Sequence, residues 1–138
     1  MSNKRGYESD ERQSDDDIGP IQIINANSKS SPMEVFTELV VKIKLYRFKR
    51  IPIQFEIFHD NEVQIIESTS SKAIAMILII FRINKLLQRN EKLPLKSLHH
   101  EYRDIWGEST DTCHSTIRIF LDVFDWWYSD LRIMINRY

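Results

Sequence analysis

The chain has 138 residues, with 19 basic and 20 acidic side chains and a formal net charge of −1 at pH 7. This balance argues against a general nucleic-acid binder, because such proteins need an excess of Lys and Arg to neutralise phosphates. The length corresponds to about one domain. The single cysteine excludes a disulfide within the chain and suits a reducing compartment. The longest apolar run, 73–81, is far shorter than the roughly 20 residues that cross a bilayer, so no membrane partner is expected.

Residues 1–30 are predicted to be a disordered acidic leader, and residues 31–138 a single domain. Segment 8–17 holds six acidic residues and one arginine without a periodic apolar residue, and such a composition cannot bury enough surface to fold. The apolar residues that follow it are Ile18, Ile21, Ile23 and Ile24. This small island is interpreted as part of the disordered leader, with a short strand or a docking peptide as the alternatives.

A helix is predicted to begin at Ser31. Ser31 can cap the helix, Pro32 suits its first position, and Glu34 can bond back to the cap. The apolar residues that follow at helical spacing are Phe36, Leu39, Val40, Ile43 and Tyr46. Because Pro52 disfavours helical backbone at Ile51, the helix is expected to end at about that residue.

The same helix carries a basic surface toward its C-terminal end. Its cations are Lys42, Lys44, Arg47, Lys49 and Arg50. Cations near the end of a helix complement its dipole. The set is interpreted as an ordinary solvated surface, with binding of an acidic partner or of RNA as the alternative.

A β-hairpin is predicted directly after the helix. From Ile51 to Phe58, apolar residues alternate with mostly polar ones, which is the period of a half-buried strand. The turn is placed at 59–62 and a short return strand at 63–66. A second helix over 53–59 is the alternative.

Three helical segments are predicted in the rest of the chain, which gives an α/β (α+β) fold with helices packed on a small sheet or hairpin. The first covers about 71–90 and has two apolar faces, so it is expected at the centre of the core. A short helical stretch lies in 93–107 and is expected to end at Gly107. The last helix covers about 114–131, and the tail after it could continue as helix or become a strand.

No residue pattern indicates an active site, a metal site or a cofactor. The residues of metal-binding type that lie nearest one another are His99, His100, Cys113 and His114. Adjacent side chains usually diverge, and no CxxC or HxxxH spacing is present. These four residues are therefore interpreted as packing or surface residues. A Cys113–His114 nucleophile and base is not expected either, because the base must reach the nucleophile across space. The chain is therefore predicted not to be an enzyme.

The last predicted helix carries more aromatic residues than one buried stripe can absorb. They are Phe120, Phe124, Trp126, Trp127 and Tyr128. Three consecutive helical positions point in different directions, so one or two of these side chains are expected at the surface. Exposed aromatic side chains commonly anchor protein interfaces, which makes this segment a candidate partner-binding site.

Several of these segments, taken in order, resemble the comet family of Mad-two-binding proteins of the spindle checkpoint. Residues 36–56 open on Phe-Thr, continue as an apolar helix with Tyr-Arg near its end, and pass into IPIQFE without a gap. Residues 70–72, Ser-Ser-Lys, resemble that family's entry to its central helix. Residues 119–124 and 128–131, IFLDVF and YSDL, resemble its later helix. The family's apolar strand and double glycine are replaced here by the polar residues 88–92.

The resemblance implies a HORMA-like fold, shortened at its C-terminal end, and a non-enzymatic adaptor. Such an adaptor binds the closed conformer of Mad-two and presents it to a hexameric AAA+ remodelling ATPase, so that the mitotic checkpoint complex disassembles. In that family the contact lies on the first and the later helix, which implies contacts by Arg47 and Phe120. The surplus of aromatic residues adds Phe124 and Trp127 to this set. The implied location is the nucleus and cytoplasm, with the kinetochore or spindle as candidate sites.

A small winged-helix domain of the LOTUS type, which binds RNA or a helicase, is the alternative. Residues 93–109, LPLKSLHHEYRDIWGES, resemble the sequence pattern of that domain, with leucines followed by Tyr102 and Gly107. This alternative predicts three helices around the C-terminal half and a dispensable first helix, whereas a HORMA-like core requires the first helix. An unrelated, fast-evolving interaction protein is a third hypothesis.

Overall fold

The secondary structure alternates between helices and short strands, as the computed structural model describes for residues 19–26, 30–107 and 110–135. The strands are β1 (Ile21–Ile23), β2 (Phe55–His59), β3 (Glu62–Ile66), β4 (Leu93–Pro94) and β5 (Ile133–Met134). The helices are α1 (Pro32–Phe48), α2 (Ser71–Arg89), α3 (Leu95–Glu101), α4 (Arg103–Trp106) and α5 (Asp111–Phe124), with a 3₁₀ helix at Tyr128–Leu131. The predicted α+β class is confirmed.

The apolar island before α1 forms strand β1, so the predicted start of the folded domain at residue 31 is wrong. Ile21 and Ile23 are each only 1% exposed. Strand β1 runs parallel to β2 with Ile21 opposite Phe55, and the Ile21 N–H donates to the Gln54 carbonyl at 2.8 Å. The short-strand alternative is therefore correct, while the acidic segment ahead of the island lies outside the described residues.

Helix α1 begins with the predicted capping box. The Ser31 hydroxyl accepts the Glu34 N–H at 3.2 Å, and the Glu34 carboxylate accepts the Ser31 N–H at 2.9 Å. Such a cap typically stabilises a helix by about 1 kcal/mol. The helix ends close to the predicted place, with Arg50 in the left-handed region at φ 60°. The predicted apolar stripe is buried throughout, at Phe36, Leu39, Val40, Ile43 and Tyr46.

The predicted hairpin forms from β2 and β3, which pair antiparallel. Asp60 and Asn61 adopt φ values of 51° and 64°. This left-handed backbone is what a two-residue hairpin turn needs, and Asp and Asn tolerate it well. Phe55 and Ile57 point into the core. The alternative of a second helix over 53–59 is wrong.

Helix α2 lies at the centre of the core, as predicted, with α1 and α5 both packed on it. The Ser70 hydroxyl caps it by accepting the Ala73 N–H at 3.2 Å, and Asn90 ends it in the left-handed region. Its buried residues are Ala73, Ala75, Met76, Ile79, Ile80, Ile83, Leu86 and Leu87. The other apolar face of α2, which includes Ile74, is covered only in part, because Ile74 is 50% exposed.

The region between α2 and α5 holds two short helices that end at Gly107, as predicted. Gly107 adopts φ 82°, which favours glycine, and its N–H donates to the Arg103 carbonyl at 2.7 Å. Arg82 of α2 holds the Glu101 carboxylate of α3 through two bonds of 2.9 and 3.0 Å. Among the described residues, no helix combines the length and apolar character that crossing a membrane requires.

The last helix is shorter than predicted. Helix α5 ends at Phe124 because Asp125 turns into the left-handed region at φ 59°. The Trp126 N–H then donates to the Leu121 carbonyl at 3.1 Å, the long bond of a Schellman motif. The prediction of one helix to residue 131 is wrong. The tail becomes strand β5, which pairs parallel with β4, so the strand alternative is correct there.

Candidate partner-binding surface

Phe120 lies in the core, so the prediction that it fills a partner's pocket is wrong. Its side chain is 0% exposed, and its ring centroid lies 4.9 Å from that of Phe36 on α1. The physical reason is its position on the helix. Phe120 shares a face of α5 with Ile117 and Phe124, and that face is buried.

Phe124 is largely buried as well, and its small exposed part lines a cavity beside β1 and α1, so its role as a partner contact stays a prediction. It is 9% exposed, and its ring stacks on that of Trp126 at a centroid distance of 4.5 Å and an interplanar angle of 15°. The Trp126 ring also lies 6.2 Å from Phe36. The rings of Phe36, Phe120, Phe124 and Trp126 thus form one aromatic cluster, which joins the first half of α1 to the end of α5.

Trp127 is the aromatic side chain that this segment leaves at the surface, with 78% of it exposed. The backbone at Trp127 is extended, so its side chain and that of Trp126 point to opposite sides. Its N–H donates to the Asp130 carboxylate at 2.8 Å, which caps the 3₁₀ helix and fixes the backbone. The prediction that one or two aromatics of this segment are exposed is confirmed.

Trp127 borders a cavity of about 880 Å³ at the end of α5, here called the C-terminal groove. Its apolar lining consists of Leu121, Trp126, Tyr128, Ile133, Met134 and Ile135. Its charged lining consists of Lys92, Arg118, Asp122, Asp125 and Arg132. Protein interfaces combine apolar and polar side chains in this way.

Arg47 is exposed on the last turn of α1, away from the C-terminal groove. Trp126, the neighbour of Trp127, packs against Phe36. Arg47 follows Phe36 by eleven residues, which is about 16 Å along a helix. The structure therefore does not bring Arg47 and Trp127 into one contact.

An exposed apolar stripe on α1 was missed by the sequence interpretation. Val41, Leu45 and Phe48 are 58%, 44% and 84% exposed. Their i, i+4, i+7 spacing places them on one face, opposite the buried stripe. That spacing was visible in the sequence. It was overlooked because the stripe that starts at Phe36 already explained the helix.

The histidines and the cysteine do not converge. Within the parts of the chain that the structure describes, no group of three or more His, Cys, Asp or Glu side chains could hold a metal. His99 is buried and stacks on Trp106 at a centroid distance of 6.4 Å. Cys113 is 0% exposed, and burial raises the pKa of its thiol from 9.0 to about 12.

Cys113 is expected to resist thiol reagents in the native protein at pH 8. The thiolate is the reactive form, and the raised pKa keeps the group protonated. The same shift favours the native state at lower pH, and its contribution to stability is lost as pH rises from about 9 toward about 12. Labelling rates with and without denaturant check this. Equal rates in the native and unfolded protein would contradict a buried thiol.

The described part of the chain is thus a small α+β domain in which two of the candidate contact residues, Arg47 and Trp127, lie on separate exposed patches. Comparison with protein-family models, with curated proteins and with solved structures finds no match. The resemblance to the comet family therefore stays a proposal.

Proposed function

We propose that the chain is a non-enzymatic adaptor that binds closed Mad-two and promotes disassembly of the mitotic checkpoint complex with a AAA+ remodelling ATPase. The observation that supports a docking role is Trp127, 78% exposed at the edge of the C-terminal groove. The partner's identity rests on the sequence resemblance of residues 36–56, 70–72, 119–124 and 128–131. A HORMA-like relationship of the fold, and a location in the nucleus and cytoplasm, belong to the same proposal.

Trp127 suits the role of an anchor on energetic grounds. A tryptophan buries roughly 150–250 Å² of surface on entering a pocket. At about 25 cal/mol per Å², this corresponds to a gross gain of about 4–6 kcal/mol. The Asp130 cap and the inward-packed Trp126 hold the backbone in place, so little freedom is lost on binding. The proposed mechanism is therefore surface competition and presentation, without bond chemistry.

Arg47 is proposed as a second, separate contact on α1. Its guanidinium can hold a carboxylate through two parallel hydrogen bonds. A standard interface covers about 800 Å² of each partner, so one partner can engage more than one patch. Since Phe120 is buried, the aromatic part of the proposed contact falls to Trp127.

Trp127→Ala is expected to weaken binding to closed Mad-two by roughly 30-fold, which corresponds to about 2 kcal/mol for an interface anchor. The free energy of unfolding should change by less than about 0.5 kcal/mol, because the side chain is mostly in water. Calorimetric titration with closed and with open Mad-two measures the first effect, and denaturant unfolding the second. Val63→Ala is the matched control, since Val63 is 54% exposed on β3, outside the C-terminal groove.

The outcomes separate the parts of the proposal. Wild-type chain that binds neither conformer would remove Mad-two as the partner. Equal binding to both conformers would remove the selectivity for the closed form. Normal binding by Trp127→Ala would leave the partner in place and move the contact away from the C-terminal groove.

A further inference from the structure

The N-terminal segment joins the domain beside the C-terminal end of α1. The Tyr46 hydroxyl donates to the Gly19 carbonyl at 2.7 Å. Strand β1 is parallel to β2, and the Ile21 N–H donates to the Gln54 carbonyl at 2.8 Å. The residues just before β1 therefore lie beside the connection from α1 to β2. Two separate contacts thus fix the position of Gly19 and the start of β1.

This end of α1, residues 42–50, is strongly basic and is here called the basic end. Lys42 and Lys49 lie four residues before and three residues after Tyr46, on the same face of the helix. The cations of the basic end, all exposed, are Lys42, Lys44, Arg47, Lys49 and Arg50. The sequence holds no acidic residue between Glu38 and Glu56.

The segment ahead of Gly19 has the opposite charge. Residues 8–17 hold six acidic residues and one arginine. Asp15 lies four residues before Gly19, and an extended chain spans at most about 3.5 Å per residue, so its backbone stays within roughly 14 Å of Gly19. A short tether gives an effective concentration on the order of millimolar. Several ion pairs that are each weak therefore suffice for docking.

We propose that the acidic segment 8–17 docks in cis on the basic end of α1 and covers Arg47. The C-terminal end of a helix carries the negative end of its dipole, which repels an acidic segment. The attraction must therefore come from the side-chain cations. Docking should therefore be lost when the acidic charges are removed or when salt screens them.

The docked segment competes with the acidic groups of any partner for the cations of the basic end. On the proposed function, this places the contact at Arg47 under the control of the chain's own N-terminal segment. That consequence rests on the proposed function, but the docking itself does not.

A spin label attached at Ser14→Cys in the full chain tests the docking. The buried Cys113, with its raised thiol pKa, remains unlabelled in the native protein. We expect broadening of the amide resonances of residues 42–50, with those of Tyr128–Leu131 unaffected as the reference. The tether alone keeps the label near Gly19 and leaves some broadening in every sample, so docking is measured as the additional broadening that is lost at about 1 M salt, where the Debye length is about 3 Å.

The charge dependence is tested by replacing Asp15, Asp16 and Asp17 with asparagine in the labelled chain. This variant should lose the additional, salt-sensitive broadening. The matched control replaces the exposed Asp104, Asp122 and Asp125 with asparagine, which changes the net charge equally and should preserve the broadening.

Absent or uniform broadening overturns the proposal. Broadening of residues 42–50 that neither high salt nor neutralisation reduces overturns docking by charge. Labelled chain mixed with isotope-labelled, spin-free chain tests for docking between copies, and broadening in that mixture overturns docking in cis. Mad-two takes no part in these measurements, so their failure is distinguishable from failure of the proposed function.

Discussion

Phe120→Ala is expected to lower the free energy of unfolding by about 3–5 kcal/mol, the usual cost of truncating a buried aromatic side chain. The ring is 0% exposed and packs 4.9 Å from that of Phe36. Alanine would leave a cavity at the point where α1 and α5 meet over α2. Small domains are stable by about 5–15 kcal/mol in total, so this loss is a large fraction. Denaturant unfolding followed by circular dichroism measures it.

Two variants serve as controls for this effect. Phe120→Leu keeps much of the apolar volume and should cost less than Phe120→Ala. Trp127→Ala removes a larger aromatic group from the surface and should leave the midpoint nearly unchanged. If Phe120→Ala unfolds at the wild-type midpoint, the ring does not stabilise the core, and its role as a surface anchor would again be open.

The elements that the sequence predicted well are those that local signals determine. The capping box at Ser31, the helical spacing from Phe36 to Tyr46, and the Asp60-Asn61 turn each act within a few residues. Their outcome therefore depends little on the rest of the fold. Helix α2 was predicted for the same reason, since its apolar run is long and capped at Ser70.

Strand β1 was predicted only as an alternative, because nothing local distinguishes it. Its three residues, Ile21–Ile23, pair with β2, which lies more than thirty residues later in the chain. An apolar island of this size is equally compatible with a linker, and only its pairing with β2 makes it a strand. Strand β5 is a similar case, since its partner β4 precedes α3.

The aromatic part of the candidate site was misplaced for two reasons: Phe120 was assigned from the family resemblance, and the last helix was extended too far. With one helix to residue 131, Phe120 and Trp127 belong to a single surface whose exposed members cannot be identified. The left-handed turn at Asp125 breaks that surface. Trp126 then packs inward on Phe124 and Trp127 points into water. A non-glycine residue in that conformation gives little signal in the sequence.

Deletion of residues 1–58 is expected to abolish cooperative folding. It removes β1, α1 and most of β2. The nine buried side chains lost are Ile21, Ile23, Phe36, Leu39, Val40, Ile43, Tyr46, Phe55 and Ile57. At about 1.5–3 kcal/mol for each buried apolar side chain, the gross loss exceeds roughly 13 kcal/mol. That loss is comparable to or larger than the whole stability of a typical domain.

Deletion of residues 1–18 is the control for this experiment, because it leaves every described element in place. It should retain a cooperative transition, whereas residues 59–138 alone should show none, by both thermal and denaturant unfolding. A cooperative transition in residues 59–138 would mean that α1 is dispensable, as the LOTUS-type alternative requires. The buried stripe of α1 argues against that outcome, since its removal would expose the apolar face of α2 to water.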